Sequence, residues 1–177
     1  MRNLFTVLFA GLAIVALSAG RAAADSVEVK GPHICCKQCV TVVGKILEKV
    51  DGVSDVSADA KTKTVKFTAK NAAAAKAGFK ALIDGGFSGK ATSDGKELES
   101  GLLPLKSGDK ADKVVVKDVH VCCGACQNAI NAMFKSAKVA YSGKGPQRTV
   151  TIEGTALDRG EIINALRSGG FNGSLEK

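Results

Sequence analysis

Two short windows hold every cysteine and histidine of the chain. The first covers residues 33–39 and reads HICCKQC, and the second covers residues 120–126 and reads HVCCGAC, 87 positions later. Both follow the pattern HxCCxxC, and together they contain six cysteines and two histidines. Protein cores usually scatter cysteine as a small apolar filler, so this clustering indicates two copies of one thiol-rich site.

Each window contains a CxxC pair, Cys36 with Cys39 and Cys123 with Cys126. We expect the second cysteine of each pair to begin a helix and the first to lie in the loop before it, so that the sulfurs converge. A helix N-terminus lowers thiol pKa values, and thiolate is the form that binds metals or attacks disulfides. Thiolates select soft ions such as copper(I), whereas mixed sets of four thiolates and imidazoles suit zinc.

The other residues of the motif either extend this site or lie outside it. If the strand pleat continues through residues 33–35, Ile34 points inward, and His33 and Cys35 share the opposite, more exposed side. Both would then lean toward Cys36 and Cys39; otherwise they lie behind the metal ligands or simply on the surface. The full set of candidate metal ligands is Cys36, Cys39, Cys123, Cys126, Cys35, Cys122, His33 and His120.

The elements that must position these residues occur in the same order in each copy. Alternating apolar residues predict a strand before the motif, and helical spacing after Cys39 predicts a helix. A predicted hairpin, a helix capped by Asn71 and a short strand opened by Phe87 complete the first copy. The fold class is therefore α+β, with two tandem ferredoxin-like βαββαβ domains.

The segments outside the repeats differ from them in composition. Residues 1–24 combine a positive start, an apolar run and the small residues Ala22-Ala23-Ala24, which predicts a signal peptide cleaved before Asp25. The run is shorter than the roughly 20 residues of a membrane span, so we expect no stable membrane insertion after cleavage. Domain 1 is assigned to residues 25–92, domain 2 to residues 113–177, and a linker, lightly docked by its leucines, to residues 93–112.

The predicted export places the protein in the periplasm or outside the cell. Thiols in such oxidising compartments usually form disulfides. Each cysteine trio, however, lies within five residues, where a disulfide would cross-link almost nothing. Local thiol chemistry is therefore favoured over a stapling role.

Charge and aromatic content argue against a nucleic-acid partner. The net charge is +8, but the lysines are dispersed and form no run of five or more. RNA-recognition domains share the βαββαβ order but need aromatic residues on the sheet for base stacking, and this chain has one tyrosine and no tryptophan.

The sequence resembles the heavy-metal-associated domains of copper chaperones, copper-transporting ATPases and periplasmic mercury-binding proteins. Their motif is GMxCxxC, and the resemblance covers residues 26–92 and 113–176. The two CxxC pairs stand at the metal-binding cysteines of that family, and Phe87 and Phe171 resemble the aromatic that closes the site in many members. The chain departs from the family pattern at His33 and His120, which replace glycine, at Ile34 and Val121, which replace methionine, and at Cys35 and Cys122, which replace a small polar residue.

Together with the predicted signal peptide, the resemblance implies an exported, non-enzymatic protein that sequesters or hands over a soft metal, about one ion per domain. Copper(I) is the first expectation, and mercury, zinc and cadmium remain open. The expected partners are the metal ion and a metal-transporting membrane protein or another metal-binding domain. The alternative is a thiol-disulfide redox protein that uses the CxxC pairs, although thioredoxin-like proteins have a different element order.

Overall fold

The computed structural model describes residues 24–176. The predicted signal peptide therefore lies outside the described residues, apart from Ala24. Within the described part of the chain, no helix is both long enough and apolar enough to cross a bilayer.

The first half of the chain forms one antiparallel sheet and two helices. The elements are β1 (Asp25–Lys30), α1 (Lys37–Leu47), β2 (Val53–Asp59), β3 (Thr64–Ala69), α2 (Ala72–Asp84), β4 (Lys90–Ser93) and β5 (Lys96–Leu98). The strands have the order β2-β3-β1-β4-β5 in the sheet.

The second half repeats this arrangement without a fifth strand. Its elements are β6 (Lys110–His120), α3 (Gly124–Met133), β7 (Lys138–Ser142), β8 (Gln147–Asp158), α4 (Arg159–Ser168) and β9 (Ser174–Leu175). Its sheet has the order β7-β8-β6-β9. A mixed α+β fold with two antiparallel sheets, as expected from the sequence, is confirmed for residues 24–176.

The core of the first half anchors the cysteine motif. Val27 and Val29 point to one face of β1 and lie opposite Phe67 and Val65 of β3, as the period of two along a strand requires. Helix α1 covers this face with Cys39, Val43 and Leu47, all fully buried. Their four-residue spacing places them on one side of the helix, so the last cysteine of the motif is part of the core.

The strand predicted to open at Phe87 begins instead at Lys90. Gly86 adopts a positive φ of 89° and turns the chain away from the sheet of the first half. Phe87 then forms an isolated antiparallel bridge with Phe171 of the second half. The residues just before β4 thus contact the second half of the molecule.

The segment 93–112 is more ordered than a linker prediction implies. It contains β5 and the first residues of β6. Between them, backbone carbonyls contact α4: Arg167 Nη1 donates to the Leu103 carbonyl at 2.7 Å, and Asn164 Nδ2 donates to the Leu105 carbonyl at 3.0 Å. Of the three leucines at positions 102, 103 and 105, Leu102 packs against the core, whereas Leu103 is 80% exposed and Leu105 is 37% exposed.

Backbone hydrogen bonds fix the two halves against each other. His33 N donates to the Gly170 carbonyl at 3.0 Å, and Asn172 N donates to the Gly86 carbonyl at 2.8 Å. Gly86 and Gly170 both have positive φ. A Cβ atom would lie 2.4 Å from the His120 nitrogen at Gly86 and 2.4 Å from the His33 nitrogen at Gly170. Glycine is therefore required at both positions for the backbones of the two halves to pack this closely. This packing brings the two cysteine motifs next to each other.

Candidate metal centre

The two helices that follow the motifs hold their cysteines in equivalent positions. Cys36 is the N-cap of α1 and Cys123 is the N-cap of α3, both with extended backbone. Cys39 and Cys126 lie in the first turn of the same helices. The Sγ atoms are 3.6 Å apart in the first pair and 3.7 Å apart in the second. The sulfurs of each CxxC pair thus converge at a helix N-terminus.

The two motifs form one cluster, whereas the sequence analysis expected a separate site in each domain. Cys39 Sγ lies 3.4 Å from Cys122 Sγ, and Cys35 Sγ lies 3.5 Å from the sulfurs of both Cys123 and Cys126. Cys36 Sγ lies 3.8 Å from Cys123 Sγ. Every cysteine sulfur therefore has a close neighbour from the other half. All six cysteines are free thiols.

Both histidines are buried against the opposite half of the molecule. The His33 ring stacks on Phe171 with centroids 4.2 Å apart, and the His120 ring stacks on Phe87 at 4.3 Å. The expectation that His33 lies on the more exposed side is wrong, because Phe171 covers it and leaves it 8% exposed. Phe87 and Phe171 lie next to the cluster, and each covers the histidine of the other half.

The buried imidazoles carry nitrogens without a hydrogen-bond partner among the described residues. These atoms are Nε2 of His33 and both Nδ1 and Nε2 of His120. An unsatisfied buried polar group costs about 1–3 kcal/mol, so such atoms usually have a ligand. Burial also lowers the pKa of His33, which favours the neutral imidazole that binds metals.

The candidate ligand atoms fall into three sets, in each of which all atoms lie within 4.8 Å of one another. Every set includes residues from both halves. Set A is Cys39, His120, Cys122 and Cys126; set B is His33, Cys35 and Cys126; set C is Cys35, Cys36 and Cys123. Each of the eight residues predicted from the sequence belongs to at least one set.

Burial and contacts among the sulfurs lower the pKa of two thiols and raise the pKa of three others. The neighbouring Cys126 thiol lowers the pKa of Cys39, although burial opposes this. Burial also opposes ionisation of Cys123, but interactions led by that with the Cys126 amide outweigh it and lower its pKa to about 7. The pKa values of Cys35 and Cys122 are raised mainly by burial, and that of Cys126 mainly by the neighbouring Cys39 sulfur. A metal ion would displace the remaining protons.

Comparisons with known proteins give little further information. No family model and no curated protein matches the chain. One similar solved structure is the solution structure of the N-terminal soluble domains of Bacillus subtilis CopA, with 16% sequence identity and a TM-score of 0.29. The match covers 88% of this chain and 95% of that one. Similarity at this level does not establish a common fold, so the candidate function depends on the cluster itself.

Proposed function

We propose that this chain is an exported protein that binds soft metal ions, copper(I) first among them, and sequesters them or hands them over. In this proposal the two halves are tandem heavy-metal-associated-like domains with no enzymatic activity. The observation that carries it is the convergence of six free thiols and two buried imidazoles from distant parts of the chain.

The sulfur separations support metal binding. Two thiolates bound to one tetrahedral ion at a metal–sulfur distance of 2.3 Å lie about 3.8 Å apart. The neighbouring sulfurs here lie between 3.4 and 4.0 Å apart. Only small side-chain movements would therefore be needed to bind an ion.

The donor set favours copper(I) over other ions. Thiolates outnumber imidazoles by six to two, and thiolate-rich sites select soft ions. Zinc is the principal competitor, because set A supplies three thiols and one imidazole, a combination found in structural zinc sites. Cadmium and mercury share the preference for sulfur and belong to the same proposal.

Accessible sulfurs support a role in metal transfer. Cys39 and Cys126 are fully buried, whereas Cys36 and Cys123 remain partly exposed at the helix starts. A partner with its own thiols could approach these two and take the ion by ligand exchange. The proposed partner is a metal-transporting membrane protein or another metal-binding domain, met outside the cytoplasm.

Metal retention tests this function directly. The reduced chain should be incubated with copper(I), zinc, cadmium or mercury(II), separated from free metal and analysed by elemental analysis. We expect copper to be retained against a chelator that removes zinc. A variant with alanine at all six cysteine positions is the control, and circular dichroism should show whether it still folds.

The redox alternative predicts the opposite outcome. A thiol-disulfide protein would reduce insulin disulfides catalytically and would retain no metal under reducing conditions. That pair of results would overturn the metal-binding proposal. Equal copper retention by the six-alanine variant would also overturn it, because the thiols would then have no part in binding.

A further inference from the structure

We propose that the chain holds at least two metal ions at once in a single cage, and that both halves of the molecule supply ligands to each ion. This inference rests on the proposed metal-binding function and specifies its site. It differs from a separate ion in each domain, because each ion would take at least one ligand from each half.

Two of the ligand sets can be occupied together. Set A and set C have no residue in common. Set A offers three thiols and an imidazole, and set C offers three thiols. The chain therefore contains enough donors for two ions without any ligand being shared. Both four-ligand and three-ligand coordination are ordinary for thiophilic ions.

Each set depends on residues from both halves. In set A, Cys39 of the first half joins three ligands of the second, and its sulfur lies 3.4 Å from Cys122 Sγ. In set C, Cys123 of the second half joins Cys35 and Cys36, with its sulfur 3.5 Å from Cys35 Sγ. The first half thus completes the site of the second half, and the second completes that of the first.

The sets are close enough for their ions to interact. Cys36 Sγ of set C lies 3.6 Å from Cys39 Sγ of set A, and Cys35 Sγ of set C lies 3.5 Å from Cys126 Sγ of set A. Set B overlaps both, because it shares Cys126 with set A and Cys35 with set C. The sulfur of Cys126 or Cys35 can therefore bridge an ion bound in set B to an ion bound in set A or set C, so we expect a compact metal–thiolate cluster.

The surroundings are those of a site rather than of a chance group of thiols. His120 is fully buried, and within residues 24–176 neither of its ring nitrogens has a hydrogen-bond partner. One of them lies within 4.8 Å of the three sulfurs of set A. Phe87 holds the ring in place by stacking, so an imidazole ligand is positioned before any ion arrives.

Native mass spectrometry and X-ray absorption of the copper(I)-loaded full chain test the inference. We expect monomers that carry two or more copper ions, and a short copper–copper vector beside the copper–sulfur shell. Failure to bind any copper would refute the proposed function itself. Binding of a single ion, or of two ions without a copper–copper vector, would refute the shared cage and leave metal binding intact.

Removal of the three thiols of one half gives a second test. The variant Cys35→Ser, Cys36→Ser, Cys39→Ser keeps the complete motif of the second half. Independent domains would retain one copper ion in this variant with unchanged affinity. A shared cage predicts a loss of at least tenfold in affinity for that ion too. The mirror variant Cys122→Ser, Cys123→Ser, Cys126→Ser is the matched control and should show the reciprocal loss.

Discussion

His120 combines complete burial with two ring nitrogens that have no hydrogen-bond partner among the described residues. In the metal-free protein this arrangement opposes folding, because a desolvated polar atom has lost its water and gained nothing in return. In a metal-loaded protein the same nitrogen would be a ligand. We therefore expect His120 to destabilise the metal-free protein and to stabilise the metal-loaded protein.

The substitution His120→Leu separates these effects. Leucine replaces the ring with an apolar side chain of similar size, so we expect metal-free stability to be unchanged or raised. Copper affinity should fall by roughly 10- to 100-fold, the loss seen when even an outer-shell partner of a metal ligand is removed. Urea unfolding with and without copper(I) measures both quantities. An unchanged stabilisation by copper would exclude His120 as a ligand.

At the residue scale the sequence predicted the identities of the candidate ligands but not their surroundings. Residue types and spacing were sufficient to single out the eight cysteines and histidines. The burial of His33 was missed, because Phe171 covers it from 138 positions away in the chain. A local strand period describes one half of the molecule and contains no information about what packs on it.

At the scale of elements, Asp158 connects the start of α4 to the preceding segment. Its carboxylate accepts hydrogen bonds from the backbone nitrogens of Gly108 and Glu161, and Lys110 Nζ lies 4.0 Å away. The bond from Gly108, followed by that from Glu161, lowers the pKa of this carboxyl below its ordinary value. Asp158 therefore both caps α4 and holds segment 93–112 in place.

The stability of the fold should depend on the Asp158 charge in acid. Because the folded-state pKa is depressed, the charge stabilises the protein fully above the unfolded pKa of about 3.9. This contribution is lost as the pH falls through the folded pKa, since the unfolded chain takes up the proton first. Asp158→Asn keeps a capping oxygen but removes the charge, so it should destabilise the protein at neutral pH and converge with the wild type in acid.

Urea unfolding across this pH range measures the effect. The control is Glu99→Gln, which removes an exposed carboxylate and should leave the pH profile unchanged. A constant difference between Asp158→Asn and wild type at every pH would show that the charge is not involved.

The elements themselves were largely predictable, and the exceptions have a common cause. Periodicity located the strands and helices around Cys39 and Cys126, and Asn71 does cap α2 by accepting a hydrogen bond from Ala74 N. The misplaced strand at Phe87 and the overlooked β5 both lie where the backbone pairs with distant partners. Such pairing depends on glycine turns and on neighbouring sheet edges rather than on an apolar repeat.

For the whole molecule, the contact at Gly170 determines whether the halves can meet. Gly170→Ala should disrupt the interface, because its Cβ would collide with the His33 nitrogen. We expect lower thermal stability and loss of the shared metal site. Elemental analysis after removal of free copper measures the second effect.

Gly95→Ala is the matched control for this substitution. Gly95 also has a positive φ, 78°, but a Cβ atom there would meet nothing within 4 Å. Both variants carry the strain of an alanine in the left-handed region, about 1–2 kcal/mol. Only Gly170→Ala should lose metal, and equal losses would show that the interface does not assemble the site.

Segment 93–112 makes cage assembly an intramolecular event. Tethered partners experience an effective concentration in the millimolar range for short connections, and the contacts of this segment with α4 restrict its freedom further. The association of the two motifs should consequently be independent of protein concentration. Two unlinked domains would need a high concentration to build the same site, whereas a single molecule of this chain carries both motifs.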